Sequence, residues 1–226
     1  MPRDTLTREQ IVQAAVELLD AEGLEGLNMR SLGRRLGSAA TAVYWHVKNK
    51  DDLVVLAGDR VWDEIALPDL DATGWREAAT ALATGLYSMM TGHPWLVQAF
   101  GSHLFYGPGK ARFDDHSLAV YEAAGFAGPQ ADRAAATVFT FVLGNALGES
   151  AAVSLTRRFS RDGGDAEEAL RKTVERAGEV ATRFPRLRAR VERPEAADYA
   201  AAPDGSFGFG LQAILDGLEA RLPAKA

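Results

Sequence analysis

Apolar residues near the N-terminus recur at intervals of three and four, which is the spacing of one face of a helix. In the segment TREQIVQAAVELLDAEG they fall at Ile11, Ala14, Ala15, Leu18 and Leu19. Thr7 is a suitable N-cap for such a helix, and Gly23 is a suitable stop. We therefore predict a first helix between these two residues.

Three shorter helices follow in the same pattern. The segment NMRSLGRRLG begins at a potential N-cap, Asn28, and ends where Gly37 breaks the helix. Ser38 can cap a third helix, which would carry the decapeptide TAVYWHVKNK over residues 41–50. A fourth helix is predicted over 51–66, since its two leading aspartates suit the positive end of a helix dipole.

The rest of the chain keeps a helical pattern after the linker LPDLDATG, and it lacks the sustained alternation of strands. We predict further helices over 74–91, 94–101, 111–124, 129–157, 165–183 and 206–222. Loops are expected over 156–166 and 194–206. The sequence thus predicts an all-α fold, with a three-helix helix-turn-helix unit in residues 1–50, a connecting helix over 51–66 and a helical domain over 67–226.

Composition and short motifs narrow the class of protein. The 226 residues are 47% hydrophobic and include no cysteine, which excludes disulfides and thiolate metal sites. The charged start MPRDTLTREQ does not resemble a signal peptide, and the apolar run 134–147 is too short to span a bilayer. We expect a cytoplasmic protein. It has no HExxH, no GxSxG and no phosphate-binding glycine loop, so we expect neither an enzyme nor a cofactor or metal site.

Charge is distributed unevenly along the chain. Residues 26–50 contain five basic side chains and no acidic one, although the formal charge of the whole chain is -6. Residues 51–226 contain 18 basic and 25 acidic side chains. A basic patch confined to one end favours a polyanionic partner there, and the alternative is an ordinary solvated helix face.

The basic patch coincides with the predicted helix-turn-helix. The second helix of that motif enters the major groove of DNA, where small residues such as Ala39, Ala40, Thr41 and Ala42 allow close approach. Hydroxyl, imidazole and ammonium groups after them can bind phosphates, which repel acidic residues. We predict DNA contacts at Asn28, Arg30, Ser38, Ala40, Thr41, Tyr44, His46, Lys48 and Lys50.

Several of these side chains also have a purely structural interpretation. Val43 and Val47 are expected in the core, and we favour packing for Trp45 as well. We favour a solvated surface position for Arg35. Arg30 could bind a guanine, or it could pair with an acidic residue of the first helix.

The stretch LGSAATAVYWHVKNKDDL resembles the DNA-reading segment of the TetR family of bacterial repressors. The resemblance is strong over residues 7–60 and extends more faintly to HPWL at 93–96 and to FGFGLQAILDGLEARL near the C-terminus. It implies a homodimer on a palindromic operator, with Tyr44, His46 and Lys50 on phosphates and a small ligand in the larger domain that releases the DNA. A helix-turn-helix activator, a protein-contact role and an all-α enzyme with an appended head are the alternatives.

The chain departs from the tetracycline-repressor-like subgroup at the ligand. Where that subgroup would hold a magnesium–drug chelate, this chain has Phe105 and Pro108, and where the drug would be gripped it has Ala66 and Leu82. Only Glu149 lies near its counterpart. Phenylalanine and proline side chains donate nothing to Mg²⁺, which prefers oxygen ligands. The effector is therefore expected to be an organic molecule other than tetracycline, bound without a metal.

The larger domain offers aromatic and polar candidates for binding that molecule. Aromatic side chains with a few orienting polar groups are typical of ligand pockets, although the same residues also suit a core or an interface. The candidates are Trp95, Phe100, His103, Phe105, Phe139, Asn145 and Glu149. The helices over 131–154 and 206–222 are predicted to form the dimer interface, with Phe141 and Leu215 in it.

Overall fold

In a computed structural model, the chain is described over residues 6–38, 40–161, 166–192 and 205–222, and all regular structure in these ranges is helical. We call α1–α3 the head, α4 the connecting helix and α5–α11 the body. The α-helices are α1 Arg8–Gly26, α2 Met29–Arg35, α3 Ala40–Tyr44, α4 Lys50–Val61, α5 Trp75–Gly92, α6 Pro94–Ala99, α7 Pro108–Ala124, α8 Pro129–Arg161, α9 Ala166–Ala181, α10 Pro185–Val191 and α11 Ser206–Glu219.

The caps predicted for the first two helices are confirmed. Thr7 and Gln10 form a reciprocal capping box, in which the Gln10 amide donates to Thr7 Oγ1 at 3.2 Å and the Thr7 amide to Gln10 Oε1 at 2.9 Å. Asn28 Oδ1 accepts from the Ser31 amide at 2.8 Å. Gly23 does not end α1: it has a φ of +71°, which glycine adopts readily, and helical structure resumes as far as Gly26.

Several helix boundaries differ from the prediction, and three of the differences concern α3, α4 and α8. The helix α3 ends at Tyr44, so it carries only the first four residues of the decapeptide, and the next five form the turn after it. The helix α4 ends at Val61 and continues as a 3-10 turn, Trp62–Glu64, instead of reaching residue 66. The loop predicted over 156–166 is wrong for its first half, because α8 continues to Arg161.

Residues 162–165 and 193–204 lie outside the described residues, and they include part of the loop predicted over 156–166 and most of the loop predicted over 194–206. The short helix α10 was not predicted, although Pro185 at its first position is a common helix start.

The core is continuous from head to body. In the head, Val43 and Val47 are buried as predicted, with 0% and 2% of their surface exposed. In the body, α8 packs against α5, α6 and α7, and α11 packs against α8 and α5. The connecting helix contacts both α1 and α7, so it touches the head and the body at once.

One face of α8 remains uncovered in the protomer. The segment Pro129–Arg157 is long and apolar enough by composition to cross a membrane, and only 22% of its most apolar window is buried. Leu147 is 57% exposed there, and a Cβ added at Gly144 or Gly148 would meet nothing within 4 Å. On α11, Phe209 is 81% exposed.

The two residues chosen from the sequence for the dimer interface differ in their burial. Leu215 is completely buried within the protomer. Phe141 packs against α11 of its own chain, stacked on Phe207 at 5.7 Å and so close to Gly210 that an added Cβ would lie 2.6 Å from its ring. The assignment of Leu215 to an interface is therefore wrong, because it is buried within one chain. Phe141 is half-buried, and its place in the interface stays a prediction.

Candidate DNA interface and effector site

Most of the predicted DNA contacts are exposed to solvent. They include Arg30, Thr41, Tyr44, Lys48 and Lys50. Ser38 and His46, also predicted to contact DNA, are half-buried. Ala39 and the side chain of Ala40 lie outside the described residues.

Trp45 does not pack in the core, contrary to the sequence interpretation. Its side chain is 88% exposed, and its neighbour Tyr44 is 54% exposed. Both follow from the short α3, since Val43 and Val47 turn inward and leave the residues between them outside. Sequence reasoning missed Trp45 as a surface residue, although its position between two buried valines was a usable signal.

The turn after α3 is fixed by hydrogen bonds of the N-terminus of α4. Asn49 Oδ1 accepts from the Asp52 amide at 2.7 Å, and Asp52 Oδ2 accepts from the Lys48 amide at 3.1 Å. Lys50 donates its Nζ proton to the carbonyl oxygen of Leu24 at 2.6 Å. The two lysines thus stand beside a well-capped helix start, and Lys50 is anchored to the end of α1.

Three polar side chains of α2 and its cap differ in their partners. Arg35 is exposed but not merely solvated, since it forms an ion pair with Glu17 of α1 at 2.8 Å. Arg30 forms no ion pair with the described residues, so the alternative of a pair with an α1 acid does not hold for that part of the chain. Asn28 uses its side chain as a cap, with its Nδ2 also donating to Gly26.

In the body, three of the predicted ligand residues belong to one aromatic cluster. We define the aromatic cluster as Trp62, Phe100, Phe105, Phe113 and Phe139. Its ring centroids are 5.0 to 6.3 Å apart between Trp62 and Phe113, Trp62 and Phe139, Phe100 and Phe105, and Phe100 and Phe139. Such separations are those of favourable aromatic pairs. Sequence reasoning missed Trp62 and Phe113 as members.

The cluster has a cation at its edge. The Lys110 Nζ lies 5.2 Å from the ring centroid of Trp62 and 5.6 Å from that of Phe139, within the range of a cation–π contact. Lys110 also pairs with Asp114 one turn further along α7. The N-terminus of α7 is held by Asp59 of α4, whose carboxylate accepts from the amides of Gly109 and Lys110 at 3.3 and 3.0 Å.

Three other ligand candidates, His103, Asn145 and Glu149, are not members of the aromatic cluster. His103 sits next to Phe105 and contacts Asp51 at 3.4 Å. Asn145 donates to the carbonyl of Phe141 on its own helix at 2.8 Å. Glu149 is exposed.

Trp95, the remaining candidate, is fully buried where α1 meets the body. Its Nε1 donates to Asp20 Oδ1 at 2.7 Å, and the same oxygen lies 2.7 Å from Nδ1 of His93. His93 Nε2 in turn lies 3.0 Å from Glu64 Oε2 in the 3-10 turn. We call Asp20, His93, Trp95 and Glu64 the junction, because it joins α1, α6 and the end of the connecting helix. Arg157 of α8 adds a hydrogen bond to the backbone oxygen of Asp20.

Two opposing effects act on the junction histidine. Burial penalises the charged imidazolium, but hydrogen bonds and charge from Asp20 and Glu64 outweigh that penalty and raise the pKa of His93. The side chain of His93 is only 10% exposed, so both carboxylates act on it at close range. A protonated His93 therefore bridges the head and the body by two charge-assisted contacts.

Comparison with known proteins identifies the family. Residues 67–222 match the family described as "Tetracyclin repressor-like, C-terminal domain", and residues 11–57 match "Bacterial regulatory proteins, tetR family". The chain belongs to the TetR family of transcriptional regulators. The repressor DrrR1 of Streptomyces coeruleorubidus is 33% identical over 219 residues, which are 96% of this chain and 79% of DrrR1.

Two solved TetR-family structures resemble this one over nearly their whole length. ActR of Streptomyces coelicolor, in complex with actinorhodin, has a TM-score of 0.75 and 27% identity, covering 99% of this chain and 100% of ActR. BioQ with its double-stranded DNA operator has a TM-score of 0.60 and 25% identity, covering 96% and 99%. Like the family, this chain is a DNA-binding regulator with an N-terminal helix-turn-helix and a helical C-terminal domain.

In this TetR-family regulator, the positions expected to correspond to the magnesium–drug chelate differ in exposure, since Phe105 is buried whereas Pro108 and Glu149 are exposed. Of the two positions expected to grip the drug, Ala66 is exposed and Leu82 is buried. No group of three His, Asp or Glu side chains in the described ranges is arranged to hold a metal ion. The identity of the effector stays a prediction.

Proposed function

We propose that this regulator is a cytoplasmic repressor that binds a palindromic operator as a homodimer and is released by a small organic ligand other than tetracycline. The reading unit is residues 1–50, joined by 51–66 to the ligand-binding and dimerisation domain 67–226. The observation that carries the proposal is the exposed surface at Thr41, Tyr44 and the two lysines, which belong to a segment, 26–50, without acidic residues.

The surface has the chemistry that a helix-turn-helix needs. The N-terminal residues of α3 are small, so the helix backbone can approach the base edges, where the Thr41 hydroxyl can donate or accept. Lys48 and Lys50 flank the start of α4, whose amide dipoles also attract phosphate. The exposed Trp45 and Tyr44 add apolar and hydroxyl contacts to the sugar–phosphate backbone.

Two features of the body support the dimer. The uncovered face of α8 carries Leu147 among small residues, and α11 presents Phe209 beside it in the fold. Small and apolar side chains on two adjacent helices allow a close twofold packing against the same helices of a second chain. Twofold symmetry then sets the two heads on half-sites about one turn of DNA apart, roughly 34 Å.

The proposed DNA contacts are tested by binding titrations at several salt concentrations. An operator is first selected from genomic DNA with the wild-type dimer, and a scrambled duplex serves as the non-specific reference. Lys48→Ala should weaken binding to both duplexes alike and lower the salt slope by about one unit, because one phosphate contact is lost. Arg30→Ala should instead reduce preference at particular base pairs, by about 1–3 kcal/mol for a bidentate contact.

The matched control is Lys172→Ala, which removes the same charge from α9 of the body. It should leave the salt slope unchanged. If Lys172→Ala and Lys48→Ala lowered the slope equally, the lysines would act only through net charge, and the assigned interface would be incorrect. A wild-type protein that selects no duplex above the scrambled reference would contradict the repressor function itself.

A further inference from the structure

We propose that the effector is a planar aromatic molecule with an anionic oxygen, stacked in the aromatic cluster, accepting a hydrogen bond from Trp62 and paired with Lys110. The inference rests on the proposed function and gives the ligand a chemical class. It also replaces the polar groups first expected to orient the ligand, since Asn145 and Glu149 lie outside the cluster.

The first observation is an unpaired donor in the centre of the body. The Trp62 side chain is 0% exposed, and its Nε1 has no hydrogen-bond acceptor among the described residues. Buried polar groups in native proteins nearly always have a partner, and losing one costs about 1–3 kcal/mol. An indole N–H can only donate, so the group that would satisfy it is an acceptor such as a carbonyl, phenolate or carboxylate oxygen.

The second observation is the shape of the surroundings. The rings of Trp62 and Phe139 are nearly parallel, with an interplanar angle of 16° and centroids 6.3 Å apart. Phe113 and Phe100 close the cluster at its sides through tilted and edge contacts. The two rings stack on each other, and a flat aromatic ligand that continues this stack is favoured over a branched aliphatic one.

The third observation is the charge next to those faces. The Lys110 ammonium lies over both Trp62 and Phe139, and its side chain is only 20% exposed. A ligand that stacks on the rings has to displace the ammonium sideways, which leaves it beside the edge of the ligand. There it can pair with an anionic oxygen in a poorly solvated setting, where such a contact is strong.

The opposite charge on the ligand is the serious alternative. A cationic ligand could take the place of the ammonium on the aromatic faces and pair with Asp114, which is half-exposed. It would, however, bring a second positive charge towards Lys110 and leave the Trp62 N–H without an acceptor. The buried Nε2 of His116 also has no hydrogen-bond partner among the described residues. It does not distinguish an anionic ligand from a cationic one, because it accepts or donates according to its tautomer.

Three naphthalene probes test the class in the full-length dimer by isothermal titration calorimetry. They are 3-hydroxy-2-naphthoate, which is anionic, 2-naphthol, which is neutral at pH 7, and 2-naphthylmethylammonium, which is cationic. Wild type should bind the anionic probe at least about tenfold more tightly than the neutral one, as expected for one added charge-assisted contact. Operator release, followed by fluorescence anisotropy of labelled operator, should rank the probes in the same order.

Two substitutions assign the preference to its residues. Lys110→Met keeps the length of the side chain and should abolish the preference for the anion while leaving the affinity for 2-naphthol within about twofold. Trp62→Phe keeps an aromatic ring and should weaken both oxygen-bearing probes by about fivefold or more, because the donor is lost. Lys172→Met is the matched control on the surface of α9 and should change nothing.

Each remaining outcome overturns the inference. Tightest binding of the cationic probe would favour a cation site, and unchanged binding in Lys110→Met would place the ligand elsewhere. Failure of all three probes to bind a wild-type protein that still recognises its operator would reject the aromatic-anion class but leave the proposed function standing. Circular dichroism and the thermal midpoint of each variant, measured without probe, show whether the variant is folded. Lys110→Arg keeps the positive charge and should therefore retain the preference for the anion.

Discussion

The junction between head and body makes a quantitative prediction about stability. Asp20 sits near the C-terminal end of α1, and one of its oxygens serves two donors, the Trp95 indole and the His93 imidazole, both at 2.7 Å. Replacing Asp20 by alanine removes the acceptor for both groups at once. Trp95 is completely buried, so water cannot readily replace the lost partner.

The expected loss follows from the two contacts. A buried donor left without a partner costs about 1–3 kcal/mol, and a hydrogen bond to a charged group contributes about 1.5–3 kcal/mol. The Asp20 side chain is 34% exposed, so solvent screens the interactions of its charge. The two contacts also share one oxygen. We therefore expect Asp20→Ala to lower the free energy of unfolding by about 2–3 kcal/mol, below the sum of the two separate values.

Urea unfolding followed by far-ultraviolet circular dichroism measures this loss. Protein concentration must be held constant between variants, because dimerisation contributes to the apparent stability. The matched control is Glu17→Ala on the same helix, which removes a carboxylate whose pair with Arg35 is solvent-exposed. Glu17→Ala should cost clearly less than Asp20→Ala, since exposed ion pairs contribute little.

A double-mutant cycle assigns the effect to the indole contact. If Asp20 and Trp95 interact as the structure indicates, Asp20→Ala combined with Trp95→Phe should cost less than the two single changes added together, by about 1 kcal/mol. Additive costs, or an Asp20→Ala loss no larger than that of Glu17→Ala, would refute the reasoning that this junction stabilises the protein.

Two further predictions concern pH and assembly. Because the pKa of His93 is raised in the folded state, its stabilising contribution should be complete below the unfolded pKa of about 6.5 and lost as pH rises through the folded value. Unfolding by urea at pH 6 and pH 8 should show this loss in wild type but not in His93→Gln. Leu147→Glu on the uncovered face of α8 should produce monomers in sedimentation, whereas Ala111→Glu on exposed α7 should remain dimeric, and a dimeric Leu147→Glu would exclude this face.

Local signals in the sequence were sufficient for the helices and most of their starts. Thr7 and Asn28 were recognisable as caps because capping depends on a side chain and an amide three residues apart. Val43 and Val47 were recognisable as core residues because their spacing of four places them on one helix face. The end of α4 could not be recognised in the sequence, because residues 62–64 include no helix-breaking residue. Trp62, the first residue of the 3-10 turn, packs against Phe113 of the body.

Contacts between distant parts of the chain could not be read from the sequence. The pairing of Lys50 with Leu24 spans 26 residues, and that of Asp20 with Trp95 spans 75. Trp95 was grouped with the ligand candidates because aromatic residues suit a pocket, a core and a junction alike. Phe105, predicted to bind the ligand, lies in the aromatic cluster, and its place there depends on Gly58, where an added Cβ would lie 2.2 Å from the Phe105 ring.

The 3-10 turn at the end of the connecting helix would link the proposed effector site to the head. Trp62 belongs to the aromatic cluster, and Glu64, two residues later in the same turn, contacts His93, which contacts Asp20 of α1. A ligand that shifts Trp62 together with its backbone would move the turn, and a movement of the turn would change either the Glu64 contact or the course of α4. Lys50 lies at the other end of α4, and an effect of only 1–3 kcal/mol between the two sites corresponds to 5–150-fold weaker operator binding. Glu64→Gln, which weakens the junction without touching the cluster, should therefore reduce the effect of ligand on operator affinity while leaving ligand affinity in DNA-free protein nearly unchanged.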